Sequence, residues 1–517
     1  LLKHKWITLA ILGISVLGIF WASNTIPTGF VPSEDRGVIF MNAQLPPGSS
    51  LDRSFEVTEK LYESIKDIEG VKGASFISGR NFFSGEGSSN AMGFIILDAW
   101  EERASDSESV QAIIGQLFGK AAVIPDANII FFTPPSVPGF GSADGFEMRL
   151  LDKASKPLTE LDATATDFVN LLNQQPEIAY ASNAFSTNFP QLELDINIER
   201  AKEAGISTKS ILSALQGYIG GSYVADFSRF GKQFRVFVQT LPEDRTDEAS
   251  LNSMFIKTPS GEMTPISQFV TLNRVYGPQT VNRFNLFNAA TVNGSATPGY
   301  SSGDAIKAIN TLAETSLPEG YQVEYSGITR EEIASSGQST IIFMISILFV
   351  YFFLSAQYES YLLPLSVIVS LPIGVAGAYL TTYLTGLENN IYFQIALIML
   401  LGLLAKNAIL IVEFAIQRRK QGLSLVEAAI DGAKVRLRPI LMTSFAFILG
   451  LLPLVLAKGV GAEGNNSIGT GAAGGLLIGT IIGVFVIPVL FVVFQWLQER
   501  ITGIPVFETN ESTSEIK

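Results

Sequence analysis

The chain has 517 residues, and 35 Lys and Arg against 48 Asp and Glu give it a formal net charge of −13. This length exceeds one ordinary core, so several domains are expected, and the acidic balance argues against a nucleic-acid partner. The absence of cysteine excludes disulfides and thiolate metal sites. The single histidine, His4, excludes a zinc centre built on histidines.

Apolar residues make up 47% of the chain and charged residues 16%, and the apolar residues collect in long runs. A helix needs roughly 20 apolar residues to cross a bilayer core. Six runs qualify, the second by extension toward Ser335: 6–23, 340–355, 362–383, 391–416, 439–456 and 468–497. The first run is longer than a signal-peptide core. We therefore expect one membrane helix at 1–24 and a five-helix membrane domain at 335–498.

Basic residues indicate the orientation of these runs. Lys3 and Lys5 precede the first run, and Arg500 follows the sixth. Six more lie between the fourth and fifth runs: Arg418, Arg419, Lys420, Lys434, Arg436 and Arg438. Because basic residues mark the cytoplasmic side, both ends are expected there, and segment 24–338 on the far side.

Segment 24–338 alternates between strand and helix periodicity. Residues 36–136 follow the order β-α-β-β-α-β of a ferredoxin-like motif. Two βαβ halves at 145–188 and 284–327 predict a second, split unit, and 190–281 is an insertion between them. The expected fold is an α/β membrane protein with six transmembrane helices and two ferredoxin-like units. Residues 503–517 are expected to form a disordered cytoplasmic tail.

One charge lies deep inside an apolar run. Lys406 lies within 391–416, and charges at such depth are costly and usually functional. The alternative is a lysine that reaches the interface through its flexible stem. The other five runs contain no interior Asp or Glu, and Glu413 is about 10 Å farther along the helix axis. We expect the carboxylate partner of Lys406 to come from elsewhere.

Glycine recurs every fourth residue in the sixth run, at Gly471, Gly475, Gly479 and Gly483. Four small residues on one face predict close approach of a neighbouring helix. The alternative is that glycine is simply frequent in membrane helices.

Four strings carry a family resemblance: FVPSEDRG at 30–37, GGSYV at 220–224, AKNAILIVEF at 405–414 and RLRPILMTS at 436–444. With the order of runs and domains, they resemble the C-terminal half of resistance-nodulation-division (RND) efflux pumps, in the AcrB-like hydrophobe/amphiphile branch. The resemblance implies periplasmic porter subdomains and an inserted docking subdomain. It implies a homotrimer in the inner membrane of a Gram-negative cell, driven by the proton-motive force without a cofactor. The implied partners are a periplasmic membrane-fusion adaptor, an outer-membrane channel and the pump's N-terminal half.

The resemblance also assigns a proton relay. It pairs Lys406 with two aspartates of the N-terminal half, matches Arg436 and Thr443 to relay positions, and makes Asn407 a weaker candidate. As alternatives, Arg436 is a topology residue and Thr443 bonds back to its own helix.

Aromatic residues suggest a substrate path. Residues 80–87, RNFFSGEG, predict a mobile loop that offers Phe82 and Phe83 to apolar ligands. The resemblance aligns Phe83 with a phenylalanine of a switch loop, and Asn81 with a position where a second is common. It places four more phenylalanines in the pocket or channel: Phe40, Phe76, Phe94 and Phe132. The alternative for each is strand core.

The expected function is proton-driven export of hydrophobic or amphiphilic compounds, such as antibiotics, dyes or detergents, through a tripartite complex. The alternatives are export of a metal ion or a lipid and a non-transporting membrane scaffold. Scattered methionines argue against a soft-metal relay. An enzyme is not expected, since the sequence shows no nucleophile–base arrangement and no GxxxxGK[ST] string.

Overall fold

The computed structural model describes residues 5–103, 105–335 and 337–503. Within them, six helices are long and apolar enough to cross a membrane, judged by length and composition. They are Trp6–Thr25, Gly327–Tyr358, Leu363–Thr385, Ile391–Lys420, Leu425–Val455 and Ala462–Ile501. Lys3, His4 and the predicted tail, apart from Gly503, lie outside the described residues.

The first helix, α1 (Lys5–Thr25), is followed by a four-stranded antiparallel sheet. Its elements are β1 (Val38–Gln44), α2 (Leu51–Ile65), β2 (Val71–Asn81), β3 (Gly85–Leu97), α3 (Val110–Ala121) and β4 (Asn128–Phe132), and the strands lie in the order β2-β3-β1-β4. Ile39, Met41 and Ala43 of β1 are buried with the apolar residues of α2 and α3. Because side chains alternate along a strand, Phe40 and Asn42 lie on the other face.

A turn of three residues, 82–84, closes the hairpin of β2 and β3. Pairing continues to Asn81↔Gly85, and Gly85 has φ +82°, a conformation that favours glycine. The expected mobile loop at 80–87 is therefore mostly strand. Phe82 and Phe83 occupy a tight turn, which we call the phenylalanine turn (residues 82–84).

Three elements follow the first sheet: β5 (Phe146–Asp152), α4 (Leu158–Leu172) and β6 (Ile178–Asn183). The chain then forms a separate compact unit, Ser186–Gln279. Its elements are β7 (Phe189–Ile196), α5 (Ile198–Glu203), α6 (Thr208–Leu215), β8 (Ser222–Arg229), β9 (Lys232–Val238), β10 (Phe255–Lys257), β11 (Met263–Pro265) and β12 (Val270–Gly277). β7 pairs with β12, β8 with β9 and β10 with β11, and the unit has its own apolar core.

The sheet that β5 and β6 begin is completed after this unit. The later elements are β13 (Asn282–Phe284), β14 (Phe287–Ala296), α7 (Ser302–Ser316) and β15 (Tyr321–Ser326). β14 pairs with β6, β13 and β5, and β5 also pairs with β15. Counted in chain order, β5, β6, β14 and β15 are the first to fourth strands of this motif. Their spatial order, β6-β14-β5-β15, is therefore second-third-first-fourth, the same as the order β2-β3-β1-β4 of the first sheet.

The remaining elements are helices: α8 (Gly327–Ser335), α9 (Gln338–Tyr358), α10 (Leu363–Ile368), α11 (Leu371–Thr385), α12 (Ile391–Lys420), α13 (Leu425–Val455) and α14 (Ala462–Thr502). The predicted run 362–383 is divided into α10 and α11 before Pro372, which lacks a backbone donor. α13 begins well before residue 439, because Ser424 and Glu427 form a capping box there.

Three of the four predicted glycines lie against neighbouring helices. A Cβ on Gly475 would lie 2.3 Å from Leu400 Cδ2 and 2.9 Å from the carbonyl oxygen of Gly374. A Cβ on Gly471 would lie 2.8 Å from Phe393 of α12, and a Cβ on Gly479 would lie 2.5 Å from Leu404 of α12. Gly483 differs, since a Cβ there would meet only Ile487 of its own helix, at 3.5 Å. Close packing thus accounts for three of the positions.

Candidate functional site

Lys406 lies midway along α12 on its uncovered side. Its side chain is exposed, whereas Ala405 and Asn407 on either side are buried. The ammonium nitrogen lies 5.6 Å from the centroid of the Phe447 ring on α13, within the range of a cation–π interaction. Within the described residues, no carboxylate lies at ion-pair distance from Lys406. The face that carries this lysine is therefore available to a partner.

Arg436 and Thr443 lie on α13. The Arg436 guanidinium carbon lies 4.7 Å from the centroid of Phe414 on α12, and its Nε is buried without a hydrogen-bond partner among the described residues. The Thr443 hydroxyl donates to the backbone oxygen of Ile440 at 3.1 Å, which is the back-bonding weighed as its alternative role. Neither residue bonds to Lys406 in the described part of the chain.

Asn407 belongs to a buried polar group that spans three helices. Its Nδ2 donates to Ser444 Oγ on α13 at 3.0 Å and to Thr480 Oγ1 on α14 at 3.3 Å. Thr480 Oγ1 donates in turn to Ser444 Oγ at 3.1 Å. We call Asn407, Ser444 and Thr480 the polar triad. It satisfies buried polar atoms among apolar helices and thereby joins α12, α13 and α14.

A small cavity adjoins the polar triad. Asn407 and Thr480 line it together with Ser370, and Gly483 leaves the space that a side chain would fill. Its volume is about 10 Å³, close to the least that holds one water molecule. The polar lining meets the second requirement for such a water, which is several hydrogen-bonding partners.

Five of the six predicted phenylalanines meet on the face of the first sheet opposite α2 and α3. Cross-strand pairing places Phe40 between Phe94 and Phe132. The Phe82 ring stacks on Phe40 with centroids 4.7 Å apart and contacts Phe94 and Phe132 by their edges. Phe83 stacks on Phe132 at 5.1 Å. We call Phe40, Phe82, Phe83, Phe94 and Phe132 the aromatic cluster. Phe132 is buried, and the other four rings are partly exposed, which suits an apolar ligand.

Phe76 is not part of this cluster. It pairs with Gly93, and its ring lies over that glycine, on the side of the buried Met41. It packs against the core beneath α2 and α3. The structure therefore places Phe76 where the strand-core alternative puts it.

Sequence comparison covers nearly the whole chain. The model of the AcrB/AcrD/AcrF family matches residues 1–495. The chain belongs to the AcrB/AcrD/AcrF family.

Relatives in the AcrB/AcrD/AcrF family include named efflux transporters. The chain is 36% identical over 493 residues to the toluene efflux pump membrane transporter TtgB of Pseudomonas putida, a match that covers 95% of this chain and 47% of TtgB. It is 37% identical over 479 residues to the multidrug resistance protein MdtF of Escherichia coli, covering 92% of this chain and 46% of MdtF. The chain thus spans about half the length of the curated relatives it matches.

The sequence of this AcrB/AcrD/AcrF family member does not single out three polar residues near the candidate sites. Ser444 and Thr480 bond to Asn407, and Asn42 contacts the phenylalanine turn. Asn81 was noted only as a departure from the family pattern. The available signal is a polar side chain inside an apolar helix or within a largely apolar strand, where burial requires a partner.

Proposed function

We propose that this chain is the C-terminal half of a proton-driven efflux transporter that exports hydrophobic or amphiphilic compounds. The observation that carries the proposal is Lys406: a charge midway along an apolar helix, unpaired among the described residues, in a member of the AcrB/AcrD/AcrF family. TtgB and MdtF are named for toluene efflux and multidrug resistance. Toluene is apolar, as the rings of the aromatic cluster are.

The proton step follows from the charge of Lys406. A lysine at the depth of α12 is stabilised by a carboxylate, which in this proposal comes from the N-terminal half of the pump. Protonation of that carboxylate removes its attraction for the ammonium group, so Lys406 changes partner and α12 shifts. The polar triad transmits the shift, since it joins α12 to α13 and α14.

In this proposal the two sheets are ferredoxin-like porter subdomains and Ser186–Gln279 is the docking subdomain. The shared strand order of the sheets supports the first assignment, and the compactness of the inserted unit supports the second. The assembly is a homotrimer in a Gram-negative inner membrane, with these subdomains in the periplasm. A membrane-fusion adaptor and an outer-membrane channel complete the path out of the cell.

Accumulation of a fluorescent dye in cells that express the complete transporter tests the function. Expression should lower the cellular dye content, and a protonophore should restore it, because export depends on the proton gradient. A dye content that expression does not change supports the scaffold alternative. Lower contents of metal ions or lipid, with unchanged dye, support the other substrate classes.

A further inference from the structure

Two asparagines lie directly beneath the phenylalanine turn. Asn42 is on β1 and Asn81 ends β2, and their side chains are 3% and 6% exposed. Asn42 Nδ2 donates to Asn81 Oδ1 at 3.0 Å. Asn42 Oδ1 accepts from the backbone N–H of Phe82 at 3.1 Å. Asn81 Oδ1 accepts from the backbone N–H groups of Phe83 at 2.8 Å and Ser84 at 3.3 Å. We call Asn42 and Asn81 the asparagine pair.

The turn itself fixes which way both amides point. A backbone N–H can only donate, so the side-chain oxygens of Asn42 and Asn81 must face the turn. With both oxygens so placed, only the Asn42 Nδ2 can supply the bond between the two side chains. The pair therefore has one donor member, Asn42, and one acceptor member, Asn81, and together they bind the three successive N–H groups of residues 82–84.

The turn held in this way places the Phe82 ring over the rest of the aromatic cluster. That ring lies 4.7 Å from Phe40, 5.6 Å from Phe94 and 5.8 Å from Phe132, centroid to centroid. It occupies the position from which an apolar ring of a ligand would contact the same three phenylalanines. A ligand that contacts the same three rings must displace the Phe82 ring. When the ring moves together with its backbone, the hydrogen bonds between the turn and the asparagine pair break.

We propose that the asparagine pair controls access to the Phe40, Phe94 and Phe132 rings by holding the phenylalanine turn closed over them, which makes Asn42 and Asn81 positioning residues for apolar, ring-bearing substrates. The part that concerns transport rests on the proposed function. Apparent affinity falls with the fraction of molecules in the binding-competent state. A tighter hold on the turn thus weakens substrate binding without any change in Phe40, Phe94 or Phe132.

The donor and acceptor roles predict an asymmetry between two matched substitutions. Asn81→Asp keeps an acceptor for all three of its donors, so the turn stays closed. Asn42→Asp removes the Nδ2 donor and sets a carboxylate against Asn81 Oδ1. Asn81 must then rotate its amide, which leaves the N–H groups of Phe83 and Ser84 without their acceptor. Asn81→Ala removes the acceptor outright, and Asn128→Ala, at an exposed position on β4 of the same sheet, is the control.

Hydrogen exchange of the assembled transporter in lipid nanodiscs tests the pair independently of transport. In Asn81→Ala and Asn42→Asp, amide exchange in residues 82–84 should rise by roughly five- to twentyfold. Asn81→Asp and Asn128→Ala should exchange like the wild type. Unchanged exchange in Asn81→Ala would overturn the proposal, as would equal exchange in the two Asp variants.

Export of an aromatic dye tests the consequence for substrate. The half-saturating dye concentration should fall by roughly two- to fivefold in Asn81→Ala and Asn42→Asp and stay at the wild-type value in Asn81→Asp. Faster exchange with unchanged half-saturation would overturn the role in access. A wild-type transporter without dye export would contradict the proposed function instead, and the exchange result would still decide whether the pair holds the turn.

Discussion

The side-chain amide of Asn407 on α12 donates a hydrogen bond to the hydroxyl of Ser444 on α13, 3.0 Å away. The same amide reaches Thr480 on α14. Loss of a buried hydrogen-bonding group typically costs about 1–3 kcal/mol, so Asn407→Ala should lower the thermal unfolding temperature of the assembled transporter. Gln417→Ala, at an exposed position of α12 where the Gln417 side chain donates to Glu413 at 3.3 Å, should leave it unchanged.

The same variant separates two roles of Asn407. A residue that joins helices affects stability first, whereas a proton relay residue affects transport at unchanged stability. An Asn407→Ala transporter with wild-type unfolding temperature and no dye export would favour the relay role.

Lys406→Ala should abolish proton-coupled dye export while the transporter still assembles. The lysine contributes its charge and a contact with the Phe447 ring, and it is not part of a buried apolar core. Dye accumulation in cells and the oligomer size in detergent are the two measurements. Lys434→Ala, which removes an exposed charge from α13, is the control. Undiminished export by Lys406→Ala would contradict the proposed role.

Gly475→Ala should destabilise the membrane helices, and Gly483→Ala on the same helix face should not. The added methyl group at 475 would lie 2.9 Å from a backbone oxygen of α11, which cannot move away like a side chain. Overpacking of this kind costs about 1–3 kcal/mol. At 483 the added group meets only the end of Ile487. Equal unfolding temperatures for the two variants would show that the α11 contact is unimportant.

Asp144, which lies between β4 and β5, should make the free energy of unfolding depend on pH. Burial raises the pKa of Asp144 from its ordinary value of 3.8 to about 6, against opposing effects of hydrogen bonds from Ser136, Gly145 and Thr133 and the charge of Arg36. The folded chain then binds this proton more tightly than the unfolded chain. The free energy of unfolding should therefore fall as pH rises from about 4 to about 6.

Thermal unfolding of the wild type and of Asp144→Asn across that pH range measures this dependence. The Asn variant cannot bind the proton, so its unfolding temperature should fall less over the interval. Asp126→Asn, at a half-exposed carboxylate beside Arg53, should keep the wild-type slope. A wild-type slope in Asp144→Asn would show that other groups cause the dependence.

Phe40→Leu and Phe76→Leu should differ in what they impair. Phe40 contacts three rings of the aromatic cluster, so Phe40→Leu should raise the half-saturating dye concentration by roughly three- to tenfold. Phe76 packs in the core, so Phe76→Leu should lower the unfolding temperature at nearly unchanged half-saturation. The reverse pattern would place the substrate on the other face of the sheet.

The sequence was sufficient to predict the helices and the lone lysine, because apolar length and an isolated charge are local properties. It was insufficient where a loop's conformation or a side chain's orientation depends on contacts with distant parts of the chain. The RNFFSGEG segment has the composition of a mobile loop, but Asn42, about 40 positions earlier in the chain, closes it into a turn. Phe76 and Phe94 look alike as strand aromatics, and only the register with Gly93 and Phe40 assigns them to opposite faces.

The hydrogen-bond partners that a residue finds on other helices cannot be predicted from the sequence, because they too depend on contacts across the fold. Asn407 follows Lys406 in one string, and the resemblance makes it a weaker candidate for the same relay. The helical rotation between adjacent residues turns Asn407 toward Ser444 and Thr480, while Lys406 lies on the uncovered side. Such a pairing requires the relative position of three helices, which no local pattern gives.

The alternation along β1 has a consequence for how this protein can evolve. Ile39, Met41 and Ala43 are enclosed by the core, while Phe40 and Asn42, one position away, contact the aromatic cluster and the phenylalanine turn. Under the proposed function, selection for a new substrate can therefore act on Phe40 and Asn42 while Ile39, Met41 and Ala43 preserve folding. Under the proposed function, a change of substrate at these positions need not lower the free energy of unfolding.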